Sequence, residues 1–141
     1  MLLFYNQFNS SFEFIIFALA YLLAIVLSLS LHEFAHAFVA YKCGDETPKN
    51  QGRVSLNPLK HIDPIGIICC ALFGFGWARP VQINQSNFRN IKKGIGLTSA
   101  AGIIMNLILA FFGCGIFGLT TLFTVSNSLI FFLQEFFYYL F

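Results

Sequence analysis

Apolar residues run almost unbroken from residue 14 to residue 40, without proline or glycine, and this pattern predicts one helix long enough to cross a bilayer. A second apolar run, 94–123, is long enough to do the same. A third begins at 129 and is still running at Phe141. A chain ending inside such a run leaves carbonyls and a terminal carboxylate without partners in hydrocarbon, so continuation beyond Phe141 is expected. Between the first two spans lies a shorter apolar stretch, 65–77. As a helix it reaches only about 20 Å, against a hydrocarbon core about 30 Å thick. It is expected to enter and return on one side, as a re-entrant or hairpin element lining a cavity.

Polar segments separate these runs. Residues 1–13 form a short lead whose Phe4, Tyr5 and Phe8 suit a membrane interface. Residues 41–64 carry turn signals at Gly44-Asp45, Asn57-Pro58 and Asp63-Pro64, and partial alternation over 51–57 suggests a short strand. With 57% hydrophobic and only 10% charged residues, the chain cannot clothe a soluble globule. The fold class expected is an all-α membrane protein. It would be a multi-pass helical bundle with a re-entrant or hairpin element, one domain over residues 1–141 and incomplete at its C-terminus.

The placement of charge orients it. No Lys or Arg precedes the first span, which argues against a signal peptide. Lys42, Lys49, Arg53 and Lys60 follow the first span, and Arg79, Arg89, Lys92 and Lys93 follow the short element. Loops 41–64 and 78–93 are therefore expected to be cytoplasmic and the N-terminus outside. The four cysteines form no Cys-x-x-Cys pair and read as apolar fillers.

The candidate chemistry lies within the first span. His32 and His36, at i and i+4, share one helix face and can direct two imidazoles at one metal ion. Glu33 sits about 100° around the helix, placed to act on water rather than as a ligand. Chance could produce this pattern on a solvated helix. Inside a span, however, ionisable side chains cost about 2.5–3.5 kcal/mol each on insertion scales, so three in five residues imply a bound ion or a wet cavity. Zn2+ is the default ion for two imidazoles. Asn106, the strongly polar residue of the second span, either bonds a neighbouring helix or lines the cavity and binds substrate. His61 and Asp63 are possible substitute ligands, although a loop-packing role for His61 and a hydrogen-bonded turn at Asp63-Pro64 are the favoured readings.

These residues carry a family resemblance. His32-Glu33-Phe34-Ala35-His36, Gly52-Arg53-Val54-Ser55-Leu56-Asn57-Pro58, His61-Ile62-Asp63-Pro64, Gly76-Trp77-Ala78-Arg79-Pro80 and Ala101-Gly102 with Asn106 together resemble the site-2 protease family of intramembrane zinc metalloproteases, in its small prokaryotic branch without a regulatory domain. The resemblance implies that His32 and His36 ligate zinc and that Glu33 is the catalytic base. It further implies that the partner is a transmembrane protein or peptide substrate cut near the cytoplasmic face of the cell membrane, with no nucleic acid involved. The sequence departs from the family at Ile103, where a proline is common, and in having no Asp-Gly pair, the family's source of the third ligand. That ligand is expected beyond Phe141. The alternative function is a metal-binding membrane protein, whether transporter, sensor or non-catalytic scaffold, that retains a zinc motif.

Overall fold

A computed structural model describes residue 8 and residues 10–122 and 128–140. Among these, the regular structure is helical, with one isolated antiparallel bridge between Ile62 and Ala78. Helix α1 spans Ser11–Cys43, extending beyond the apolar run at both ends. Its start is set by Ser10, whose hydroxyl accepts from the Glu13 N–H at 3.2 Å. Its end is set by Gly44, left-handed at φ 116°, where the Gly44 and Asp45 N–H groups return to the carbonyls of Tyr41 and Ala40. Helix α4 spans Ile91–Thr120, capped by the Asn90 side chain on the Lys93 N–H. Both helices are long and apolar enough to cross a membrane, and the chain is an all-α membrane protein.

Helices α1 and α4 pack antiparallel, with His36 beside Thr98 and His32 beside Asn106. Their buried residues are mainly small: Ala20, Ala24, Ala35, Ala37 and Ala40 on one, Gly94, Ala101, Gly102 and Gly113 on the other. In a helix pair without a water-driven core, such residues let the backbones approach closely. The small-residue density of α4 serves this purpose only in part, since Gly96, Gly115 and Gly118 face open space. Helix α5, Ser128–Leu140, lies against both. Tyr139 meets Tyr21 edge-on at 4.9 Å between ring centroids, and Gln134 Nε2 donates to the Thr120 carbonyl at 3.3 Å. The expected turn at 124–128 falls almost wholly outside the described residues, as do Phe4 and Tyr5. Phe8 packs against Phe17 with the rings tilted and their centroids 4.8 Å apart.

The short apolar element is a hairpin. Asp63 caps helix α3, Pro64–Phe73, by accepting from the Ile65 and Gly66 N–H groups at 2.9 and 3.1 Å. After Gly74 the chain doubles back so closely that Gly66 and Gly76 cross backbone to backbone, where a Cβ at either would strike a carbonyl oxygen. The two arms close at the Ile62–Ala78 bridge, with the Arg79 N–H on the His61 carbonyl at 2.8 Å. At the far end the Tyr21 hydroxyl donates to the Gly74 carbonyl at 2.6 Å. At the near end Val81 meets Glu33. Twelve residues of α1 separate Tyr21 from Glu33, so the hairpin runs about 18 Å along that helix.

The strand expected over 51–57 does not form. The chain instead makes helix α2, Thr47–Asn50, then tight turns in which the Arg53 N–H bonds the Pro48 carbonyl and the Ser55 N–H bonds the Arg53 carbonyl. Burying the Arg53 side chain, 6% exposed, overrides the alternation. Its Nη1 donates to the carbonyls of Lys60 and Arg79, tying the loop to the hairpin's mouth. Fully buried Asp45 makes the other tie. It accepts from the Thr47 N–H and hydroxyl, the Asn84 N–H at 2.7 Å and the Asn87 amide at 2.8 Å.

Candidate metal centre

Helical periodicity brings His32 and His36 to one face of α1, and α4 fixes their rings. His36 Nδ1 lies 2.7 Å from the Thr98 carbonyl, which can only accept, so Nδ1 carries the proton. His32 Nδ1 donates in the same way to Asn106 Oδ1 at 3.2 Å. Both Nε2 atoms are then left with lone pairs, and they stand 3.0 Å apart. Two acceptors at that separation repel unless a cation or proton lies between them. Holding ligand imidazoles through their outer N–H groups is also how metal sites fix tautomer and aim.

Gly102 completes the cradle. A Cβ there would fall 2.6 Å from His32 Nε2 and closer still to the His36 ring. The backbone of α4 therefore forms a wall against the two imidazoles that any side chain would displace. Thr98, Gly102 and Asn106 follow at i, i+4 and i+8, one face of α4 matching the i, i+4 face of α1. Zinc fits this donor set: two neutral imidazoles with free, converging nitrogens. Among the described residues no group of three His, Cys, Asp or Glu side chains comes together, so the histidine pair is the donor set they supply.

Glu33 is anchored separately. Its Oε2 accepts from the Val81 N–H at 3.0 Å, on the segment returning from the hairpin. Arg53 adds positive potential nearby. Burial first, then the Arg79 cation, push the Arg53 guanidinium below its ordinary pKa, while the Glu33 carboxylate pulls the other way.

The remaining candidates lie elsewhere. His61 is fully buried and its Nε2 donates to the Ser55 carbonyl at 2.8 Å, which makes it a loop fastener. Asp63 spends its carboxylate on the α3 cap. Neither joins the histidine pair. Asn106 bonds the neighbouring helix, one of its two expected roles, and its partner there is the His32 ring. Sequence reasoning missed Thr98, the role of Gly102, the Val81 N–H and Asp45. The i, i+4, i+8 spacing on α4 was the signal for the first two. Contacts from Val81 across 48 residues and from Asp45 across 39 left no local signal.

Two relatives are similar to this chain. It is 50% identical over 91 residues to "Putative zinc metalloprotease YwhC" of Bacillus subtilis (strain 168), the match covering 64% of this chain and 42% of that protein. It is 34% identical over 90 residues to "Putative zinc metalloprotease Rip2" of Mycolicibacterium smegmatis, covering 60% of this chain and 34% of that protein. The chain thus spans well under half the length of the curated relatives it matches. No family model matches it, and no solved structure does.

Proposed function

We propose, on the premise of the site-2 protease-like family that these relatives support, that the protein is an intramembrane zinc-dependent endopeptidase hydrolysing peptide bonds of transmembrane substrates near the cytoplasmic face. The observation that carries this reading is the pair of converging Nε2 lone pairs beside an anchored carboxylate, all within an apolar helix. His32 and His36 would hold the metal; a catalytic zinc takes three protein donors, and among the described residues no third His, Cys, Asp or Glu joins the pair. When bound, zinc would supply Lewis-acid chemistry at this pair. Glu33 takes the proton of the attacking water at Oε1 while Val81 holds Oε2, and then passes that proton to the leaving amine. Thr98 and Asn106 keep both imidazoles in the liganding tautomer. The hairpin excludes lipid from that side of α1.

The charge pattern supports an N-terminus outside, with loops 41–64 and 78–93 in the cytoplasm. Closure of the hairpin at Ile62 and Ala78 supports a re-entrant element over one that crosses. A second reading, a membrane protein that binds metal without catalysis, draws on the two-donor set alone. Glu33→Gln in the full-length protein separates the two. It should keep zinc at the wild-type level and lose cleavage, because it removes the proton acceptor and spares both imidazoles. Cleavage at the normal rate by that variant would remove Glu33 from the mechanism, and stoichiometric zinc without any cleavage by the wild type would favour the second reading.

A further inference from the structure

Lys60 and Arg79 stand at the two mouths of the hairpin, one residue outside His61 and one outside Ala78, where the Arg79 N–H clasps the His61 carbonyl. Together with Arg53 they line an open cavity of about 720 Å³, whose walls also include Gln51, Gln82 and Leu59. Buried Arg53 makes this more than a cluster of surface cations. Its Nη1 is engaged by two carbonyls, which carry no net charge, and the carboxylate that acts on it, Glu33, is held by the Val81 N–H. A buried guanidinium whose one nearby carboxylate is held by another donor gains from a further countercharge, and an anion entering the cavity would supply it.

The surroundings say which anion. Just beyond Lys60 and Arg79, the hairpin turns Ile65, Ile68, Phe73 and Phe75 outward, each more than half exposed. Those side chains suit the acyl region, which sets the cavity at the level of the phosphates. Leu59, 79% exposed at its edge, adds apolar surface next to the cations. A peptide carboxylate needs no such apolar flank. We propose that the Arg53–Lys60–Arg79 cavity binds the phosphate headgroup of an anionic phospholipid, with Arg53 as its floor and Lys60 and Arg79 as its rim. Basic groups at a membrane surface each contribute to such binding, and bidentate guanidinium–phosphate pairing favours arginine at the floor.

Delipidated protein in neutral detergent provides the test, with native mass spectrometry counting bound lipid and thermal melting reporting stabilisation. Phosphatidylglycerol should bind in preference to phosphatidylcholine by roughly tenfold and raise the melting temperature, and Lys60→Gln/Arg79→Gln should abolish most of that preference. Both changes are at exposed side chains, and the untreated variant should melt like the wild type. Equal binding of the two lipids, or an undiminished preference in the double variant, overturns the proposal. So does equal stabilisation by inorganic phosphate, which would assign the site to a free anion, or by a soluble acidic peptide, which would assign it to protein. None of these readouts involves cleavage, so the result is independent of the proteolytic reading.

Discussion

Gly102→Ala adds one methyl group where α4 forms the wall of the histidine pair. To restore the 3.4 Å of ordinary contact, the rings must retreat by about 0.8 Å or more from a Cβ that starts 2.6 Å from His32 Nε2. That movement takes His36 from the Thr98 carbonyl and His32 from Asn106, the two bonds that set their tautomers. Losing two hydrogen bonds costs about 1 kcal/mol each, and overpacking a further 1–3 kcal/mol. Alanine's helix propensity returns up to about 1 kcal/mol, so the net destabilisation is about 2–4 kcal/mol. Metal affinity should suffer more. Disturbing the outer partners of ligand histidines typically costs about 10–100-fold, and here both are disturbed at once. The assay is a zinc competition titration beside a melting curve, with Gly115→Ala as comparison. Gly115 faces open space on the same helix, so its alanine variant should keep wild-type zinc affinity and gain a few tenths to about 1 kcal/mol. Wild-type zinc affinity in Gly102→Ala would refute the cradle.

Asn106→Leu should weaken zinc binding about 10–100-fold by releasing the His32 Nδ1–H, a loss a substrate-binding residue would not produce, and equilibrium titration reads it directly. Asp45→Asn should destabilise the protein by about 2–4 kcal/mol in denaturant melts, because an amide cannot accept from every donor that converges there. Burial alone would raise the Asp45 pKa, but the Thr47, Asn87 and Asn84 hydrogen bonds outweigh it and hold the carboxyl below its ordinary value. Its contribution is therefore present in full above the ordinary carboxylate pKa and is lost as pH falls through the lowered one. Melting temperature against pH should show an acid-side decline that Asp45→Asn reduces. In a cysteine-free background, single cysteines at positions 50 and 85 should both label from the cytoplasmic side; labelling from opposite sides would make the hairpin a span.

Helix α1 was legible because nothing in its apolar run breaks a helix, and the i, i+4 histidines follow from the repeat alone. Its ends were not, because Tyr41-Lys42-Cys43 continue the helix past the apolar run until Gly44 can turn left-handed. The face that α4 presents to α1 was hidden for a different reason. A span apolar on all sides carries no hydropathic stripe to mark its inner face, so hydropathy showed Gly102 only as small, and the i, i+4, i+8 spacing with Thr98 and Asn106 was the one signal that it faces the histidines. The strand over 51–57 failed because alternation marks which residues can face inward in a sheet. Here the residue facing inward is an arginine satisfied by carbonyls.

The Asp45 tie reaches the metal pair without touching it. It binds the segment just after α1 to residues 84–87, and the Arg89 N–H rests on the Cys43 carbonyl at 3.0 Å immediately before α4 begins. The two long helices are thus pinned at one end, like rules clamped at a common zero. Successive residues of a helix advance by about 1.5 Å, so slippage of a single graduation would carry Ala101 or Ile103 toward the level of the imidazoles in place of Gly102. A carboxylate just past the end of α1 in this way calibrates which α4 residue stands opposite His36, and sequence changes around Asp45 should be read as changes of alignment at the histidines.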